Sequence, residues 1–410
     1  MAEIALLKDR RIILAVCGSI AVYKAVDLAS KLTQAGAQVD VIMTEAAQRF
    51  VHPLTFQAVS GRPVYSDMWR AEIGGGLPSH IAHIGLAEGA DLLMVAPATA
   101  NTLAKLAHGF ADDLLSVTVL AAGCPLLVAP AMDGGMIEHR AVQDNLDMLR
   151  QRGAHLIEPE TGRLASGLTG GGRLPETPTL IGHIRRILGL GGELSGHKLV
   201  VTAGGTREAL DPVRYLSNRS TGKQGFAIAQ AAIDAGADVV LISSAEVLPP
   251  LVGATLVDVD SAQSMLEAVL AQVADASALI MAAAVADYRP RSVSQQKIKK
   301  ADEWLNLPLE RNPDILMAVK AQREKTGYPK IVVGFAAESE NLLENASGKL
   351  QAKRLDLLVA NDISASDAGF AVDTNRVVVL DMDGGMHTID LTSKAAIGDT
   401  IIKRVGGLLA

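Results

Sequence analysis

Cysteine is close to absent: Cys17 and Cys124 are the only two in 410 residues, so no disulfide framework exists and a reducing compartment is expected. Aromatic residues make up 3% against 49% hydrophobic residues and 38 glycines, a balance that excludes a fibrous or disordered chain and leaves an α/β protein built on Ala, Val, Leu and Ile. No surplus of positive charge is present. The formal net charge of -7 excludes a broad basic surface for DNA or RNA, so any phosphate bound belongs to a small molecule. No apolar run spans a membrane without charge or glycine, and the opening "MAEIALLKDRRIILAV" puts charges before its apolar run without a cleavage-like site. A cytoplasmic location and no membrane contact are therefore expected. Two nucleotide motifs are also missing. No GxGxxG is followed by an acid after the next strand, which speaks against a nicotinamide dehydrogenase. No GxxxxGK[ST] occurs, which disfavours Walker-type ATP hydrolysis. Nor is there a His/Cys cluster with metal-ligand spacing.

What is present is a rhythm. The length fits two domains of ordinary size. In the first half "RIILAV", "QVDVIM", "DLLMVAP" and "PLLVAP" alternate with helix-like stretches such as "AVYKAVDLASKLTQAG", which implies a parallel sheet covered on both faces. A glycine-rich connector, "LGLGGELSGHKLVVTAGGT", puts a boundary near Gly189 to Gly196, giving expected domains of 1–190 and 191–410. The second half repeats the rhythm with "KLVVTAGGT", "ALIMAAAVADY", "KIVVGFAAE" and "LDLLVAND", and its tail "RVVVLDMDGGMHTIDL" reads as a hairpin across "DGG". The expected fold class is α/β with two doubly wound domains.

In such sheets ligands sit beyond the carboxyl ends of the strands, and the residues there are small and polar. After the first strand comes "CGSIAVYK", where Gly18 and Ser19 permit close backbone approach ahead of a helix N-terminus. A tight turn with no ligand accounts for such a pair equally well. The second strand ends in "VIMTEAA" with Thr44, and "APATANTLAKLAHG" offers Thr99, Asn101 and Lys105 together. His83 stands beside His80 in "SHIAHIGLAEGADLL", and "APAMDGGMIEH" sets Asp133 between two methionines. In the second half "TAGGTREALDPVRYLSNRSTGKQG" supplies two glycine loops, the first with Gly204 and Gly205, suited to a triphosphate held by amides and helix dipoles. "AAAVADYRP" ends a strand with Asp287, and the basic "QQKIKK" follows with Lys297.

The run "AHIGLAEGADLLMVAPATANTLAKLAHGFADDLL" followed by "PAMDGGM" resembles the flavin-dependent cysteine decarboxylases, and the second half resembles the CTP-dependent phosphopantothenate-cysteine ligases. Together they resemble the family of bifunctional coenzyme A biosynthesis proteins, phosphopantothenoylcysteine decarboxylase first and ligase second. The resemblance covers nearly the whole chain. It implies an N-terminal flavodoxin-like or Rossmann-like flavoprotein domain and a C-terminal Rossmann-like ligase domain. In the first it implies FMN on the Gly18-Ser19 turn, on Thr44, and on the loop with Thr99 and Asn101, with His83 as the base. The implied chemistry withdraws a hydride equivalent from the Cβ-S unit of phosphopantothenoylcysteine, so that the carboxylate leaves as carbon dioxide.

Two positions depart from the family. Its "PAMN" asparagine, which binds the departing carboxylate, is Asp133 here, and Ser166 in "ETGRLASGLTGGGRLPE" stands where a flap cysteine completes the reaction. An ionised Asp133 about 4 Å from a substrate carboxylate costs on the order of 1 to 4 kcal/mol, unless the acid is protonated or a cation intervenes. Ser166 is no easy replacement for a thiol. Either the pair is a variant that still decarboxylates, or a working ligase is joined to an altered or inactive flavin-binding domain. A flavin-binding scaffold is a third reading for the first domain.

For the second domain the resemblance implies that CTP activates 4'-phosphopantothenate as an acyl-cytidylate and that the amine of cysteine then attacks. It puts Asn218 and Arg214 at the activated acyl group and Lys297, on a flap, in support of activation. Nucleotide and substrate contacts are implied for Gly204, Gly205, Ala283, Asp287, Asn312, Phe335, Lys349 and Lys353. Mg2+ would neutralise the triphosphate, held by substrate phosphates and a few oxygens. The family also implies homo-oligomers.

Overall fold

The computed structural model describes residues 3–69, 81–245, 248–299, 305–338, 342–362 and 372–410. The chain divides into two compact units, Met1–Leu188 and Gly189–Ala410.

The first unit runs β1 (Arg11–Val16), α1 (Val22–Gln34), β2 (Gln38–Met43), α2 (Glu45–Gln48), α3 (Pro53–Ser60), β3 (Val64–Tyr65), α4 (Ala82–Ala87) and β4 (Leu92–Ala98). It continues with α5 (Ala100–His108), α6 (Leu114–Ala121), β5 (Leu126–Pro130), α7 (Gly134–Ile137), α8 (Arg140–Gln151), β6 (His155–Leu156), β7 (Glu160–Arg163), β8 (Thr169–Arg173) and α9 (Thr177–Gly189). Strands β1 to β6 form one parallel sheet in the order β3-β2-β1-β4-β5-β6. Ile12, Leu14 and Val16 of β1 pack into the core on one face, and Ile13, Ala15 and Cys17 into the core on the other. With both faces covered, no polar alternation survives in the sequence, which is why these strands read as continuous apolar runs. The one acid inside β2 is the exception. Asp40 is fully buried and is gripped by Arg11 Nε and Arg62 Nε, each at 2.7 Å, as an unpaired charge there would be too costly. The order reverses between β1 and β4, so the crevice for a ligand opens past their carboxyl ends. The β7-β8 hairpin lies against the loop that follows β5, with Met132 N–H donating to the Gly172 carbonyl at 3.0 Å.

The second unit runs β9 (Lys198–Ala203), β10 (Arg207–Ala209), β11 (Tyr215–Ser217), α10 (Lys223–Asp234), β12 (Asp238–Ser243), β13 (Ala254–Asp258), α11 (Ala262–Gln272) and β14 (Ala278–Met281). It continues with β15 (Tyr288–Pro290), β16 (Leu309–Arg311), α12 (Ile315–Thr326), β17 (Ile331–Glu338), α13 (Leu342–Lys353), β18 (Leu357–Asp362), β19 (Thr374–Asp381), β20 (Met386–Ser393) and α14 (Lys394–Leu409). The main sheet has the order β13-β12-β9-β14-β17-β18-β19-β20. It is parallel from β13 to β18, and β19 and β20 close it as an antiparallel hairpin. Leu199 and Val201 face one core and Val200 the other, so this sheet too is sandwiched. Its order reverses between β9 and β14. No helix among the described residues is long and apolar enough to cross a membrane.

Candidate functional site

The first unit opens a cavity where its strand order reverses, and the second a smaller one at the carboxyl ends of β14, β17 and β18, next to its reversal. In the first the cavity measures about 1650 Å³ and its lining includes Gly18, Ser19, Thr44, Thr99, Asn101, Asp133 and Ser166. The lining is built from helix starts. Thr44 caps α2 by accepting from Ala47 N–H, and Thr99 caps α5 by accepting from Thr102 N–H. These hydroxyls are fixed by the backbone they satisfy, and both lie at the mouth of the crevice. Gly18 is required by packing: a Cβ there would come within 2.5 Å of Ala46 Cβ. The turn after β1 can therefore sit close against α2. Cys17 beside it is a buried thiol pushed up to about 11 by burial, with Thr102 Oγ1 donating to its sulfur at 3.2 Å. It is no nucleophile.

Asp133 caps α7, accepting from Gly135 N–H at 3.3 Å, and Ser166 Oγ donates to its Oδ2 at 2.7 Å. The two residues that depart from the family pattern are thus hydrogen-bonded to each other across 33 positions of sequence. Gly172 makes this possible. Its φ is +104°, and a Cβ there would collide with the Met132 carbonyl oxygen, so only glycine lets the hairpin that carries Ser166 dock on the Asp133 loop. Cations also surround the cavity, but they arrive paired. Lys105 holds Asp112 and Asp113, each at 2.8 Å, and Lys24 holds Glu176 at 2.9 Å. Arg163 and Arg173 of the hairpin line the cavity as well. His83 lies half-buried on α4 and is not among the residues lining this cavity. Its neighbour His80 lies outside the described residues.

In the second unit the ends of β9 and β14 are stitched together. Gly205 bridges Ala284, Ala284 N–H donates to the Gly204 carbonyl at 2.8 Å, and Ala283 N–H donates to Thr202 Oγ1 at 3.1 Å. Asn218 Nδ2 donates to the Ala284 carbonyl at 3.1 Å and Asn312 Nδ2 to the Ala286 carbonyl at 2.8 Å. The buried Asn312 Oδ1 has no partner, so one acceptor is open at this loop. Asp287 is exposed, and its carbonyl accepts Asn312 N–H at 2.9 Å. A pit of about 110 Å³ lies beside this seam, lined by Gly222 and Lys223 at the start of α10, by Ala283 and Phe335, and by Asn361, Asn375 and Lys394. Burial, and then the neighbouring Lys223 charge, hold the Lys394 ammonium below its ordinary pKa. Two lysines and a helix N-terminus around one pit suit an anionic ligand.

Of the residues singled out in sequence, Ala283 and Phe335 line the pit, and Asn218 and Asn312 brace its rim. Arg214 and the segment of Lys297 meet each other away from the pit: Arg214 Nη2 donates to the Ile298 carbonyl at 2.7 Å. Lys353 pairs with Asp314 at 3.0 Å and lines a different cavity, near the amino end of β17. Lys349 is exposed on α13. Lys223, Asn361, Asn375 and Lys394 were not singled out. For Lys223 the signal stood in "STGKQG" and for Asn361 at the strand end "LLVAND", whereas Asn375 and Lys394 carried none. Among the described residues no group of three or more His, Cys, Asp or Glu could hold a metal ion.

Residues 3–189 match a family model described as Flavoprotein, and residues 194–408 match one described as DNA/pantothenate metabolism flavoprotein C-terminal domain. Over 406 residues the chain is 45% identical to the coenzyme A biosynthesis bifunctional protein CoaBC of Bacillus subtilis (strain 168), covering 98% of each chain. The protein of the same name from Vibrio vulnificus (strain YJ016) is 41% identical over 405 residues, 98% of this chain and 99% of that one. That of Mycobacterium tuberculosis (strain ATCC 25618 / H37Rv) is 43% identical over 414 residues, with 98% and 97% covered.

Proposed function

The chain belongs to the family of bifunctional coenzyme A biosynthesis proteins, and from that premise we propose that the first unit decarboxylates phosphopantothenoylcysteine on FMN and the second makes that compound from 4'-phosphopantothenate, cysteine and CTP. The observation that carries the reading is the match over both halves at once, each with a cavity at or next to its strand reversal.

The first cavity fits a flavin mononucleotide in volume and in donors. The Gly18-Ser19 turn, Thr44, Thr99 and Asn101 would hold it, with the close packing of Gly18 on Ala46 shaping the phosphate end. When bound, FMN supplies the two-electron acceptor that makes the carboxylate a leaving group. The protein's part is to orient the substrate and exclude water. Asp133 and Ser166 face the substrate as one hydrogen-bonded pair, so the hydroxyl that could meet the substrate is spent on the acid and the acid's second oxygen on the backbone. Arg163 on the hairpin supplies compensating positive charge for the substrate carboxylate, while Arg173 is paired with Glu176. His83 would act as base only with a surface beyond the lining of this cavity, which accords with a homo-oligomeric enzyme.

In the second unit the start of α10, with Gly204 packed against Gly222 and Gly205 following, would carry the triphosphate, with Lys394 and Lys223, the latter held by Asp373 at 2.7 Å, as its cations and Ala283 and Phe335 beside the base. Asn218 and Asn312 fix the rim, Asp287 would lie by the nucleotide, and Lys297 and Lys349 would bear on the phosphates from further out; Lys353, paired with Asp314 beside a different cavity, is left out of this site. Mg2+ would be held mainly by the triphosphate itself. On this reading both reactions would run in the cytoplasm.

A second reading, a working ligase joined to an inactive flavin domain, is favoured by one observation: an acid, Asp133, lines the cavity at the position where the family resemblance implies a carboxylate-binding asparagine. The test supplies phosphopantothenate, cysteine, CTP and Mg2+ to the purified full chain and follows pyrophosphate and carbon dioxide separately. Equal release of both is expected. Pyrophosphate alone selects the second reading, and neither product overturns the proposal.

A further inference from the structure

Within the second unit, Pro212, Val213 and Arg214 are exposed while Asp211 just before them is buried, its carboxylate fully so. Every lone pair of that carboxylate is spoken for. Oδ1 accepts the N–H groups of Val213 and Arg214 at 2.8 and 2.9 Å. Oδ2 accepts Arg214 Nε at 2.9 Å, Arg214 Nη2 at 2.6 Å and the N–H of Ile298 at 3.1 Å. Arg214 Nη2 then donates to the carbonyl of the same Ile298 at 2.7 Å. A residue 84 positions away is thus gripped by both of its backbone groups. Four residues before Ile298, Ser294 N–H donates to the Leu210 carbonyl at 3.0 Å and Ser294 Oγ to the Gln296 carbonyl at 2.6 Å. Lys297 sits between these anchors with its side chain exposed.

We propose that Asp211 and Arg214 form a latch that positions Lys297, so that Arg214 acts through this lysine and not by touching the activated acyl group. This rests on the reading of the second unit as a ligase that uses Lys297. The geometry separates the two roles of Arg214 because the acid that completes the latch is buried and out of reach of any ligand. Asp211 holds the segment directly through the Ile298 N–H, so Arg214 is the deciding partner: as a ligand contact alone it could be lost without freeing Lys297. If it is half of a latch, loss of either partner frees the same segment. The Arg214 guanidinium beside Asp211 also holds that carboxyl well below the usual carboxylate range, so the latch stays charged throughout the working pH range.

The test compares the full chain with Asp211→Asn, Arg214→Gln and Arg214→Lys. One readout is the rate of native-state trypsin cleavage after Lys297 and Lys299, followed by mass spectrometry. The other is ligation kinetics with CTP, phosphopantothenate and cysteine. Asp211→Asn and Arg214→Gln are each expected to speed cleavage about tenfold, the worth of hydrogen bonds to a charged group. Both are expected to lower kcat by a similar factor while KM for phosphopantothenate changes little, with Arg214→Lys recovering part of each effect. A raised KM in Arg214→Gln, with cleavage unchanged, would overturn the latch and return Arg214 to the ligand. Should Asp211→Asn fail to fold, Arg214→Gln, a change at a partly exposed side chain, still decides by its cleavage rate. Should the wild-type chain ligate nothing, the ligase reading falls, and the cleavage comparison alone still tells whether the latch exists.

Discussion

The two units share one grammar and use it differently. Both reverse strand order at the centre of a sandwiched sheet, yet the first leaves a cavity of about 1650 Å³ and the second a pit of about 110 Å³. In the first, the strand ends stop short and side chains of Thr44, Thr99 and Asp133 cap the helices that follow. In the second, the strand ends bond to each other through Gly204, Gly205 and Ala284, and polar side chains brace the seam. A cofactor held for many turnovers suits the roomy, pre-formed arrangement; a substrate nucleotide that must enter and leave suits a small pit beside a bonded seam.

The comparison is broken most forcefully by destroying one unit alone. Asp40→Ala strands Arg11 and Arg62 beside an apolar strand, and is expected to destabilise the first unit by about 3–5 kcal/mol. Denaturant melts followed by flavin fluorescence should lose the first transition while pyrophosphate release persists. The mirror experiment is Gly225→Ala. Its Cβ would come within 2.6 Å of Ala203 Cβ and 2.7 Å of the Thr202 carbonyl oxygen, pushing α10 off β9 at a cost of about 1–3 kcal/mol. Ligation should fall while carbon dioxide release from supplied phosphopantothenoylcysteine is kept.

Acid separates the units more gently. Burial, helped by Arg186, pushes the His183 imidazole in α9 down to about 4. Its folded pKa lies below the unfolded value near 6.5, so the unfolded chain binds more protons between the two. The stabilisation is complete above about pH 6.5 and is lost as pH falls toward about 4, roughly 1–2 kcal/mol after allowance for partial solvent screening. Replacing His183 by Gln should flatten the pH dependence of the first melting transition. The smallest expected effect is at the pair that departs from the family. Asp133→Asn removes a like charge facing the substrate carboxylate and is expected to lower KM for phosphopantothenoylcysteine by up to about tenfold, without change in ligation.

Much of the fold was legible because strands buried on both faces leave unbroken apolar runs, as in "DLLMVAP", and because the β19-β20 hairpin alternates around its turn. Gly18, Thr44 and Thr99 line the first cavity because each follows a strand, and Thr44 and Thr99 also cap the helix that comes next, a position that can be read from local sequence. What could not be read depends on distant partners. Nothing local to "DPVR" says that Asp211 turns inward to bind Ile298, 87 positions on. Nothing near Lys353 announces Asp314, 39 positions before it. Asn375 and Lys394 reach the pit only because the sheet brings β19 and α14 beside β18 and α10, a consequence of topology and not of any motif.

The most direct measurement is carbon dioxide released when FMN-loaded full-length protein is given phosphopantothenoylcysteine with no CTP present. Stoichiometric release that tracks bound flavin and survives in Asp211→Asn is the expected result. No release, from protein whose flavin is bound and whose ligase works, would contradict the assignment of the first unit as a decarboxylase.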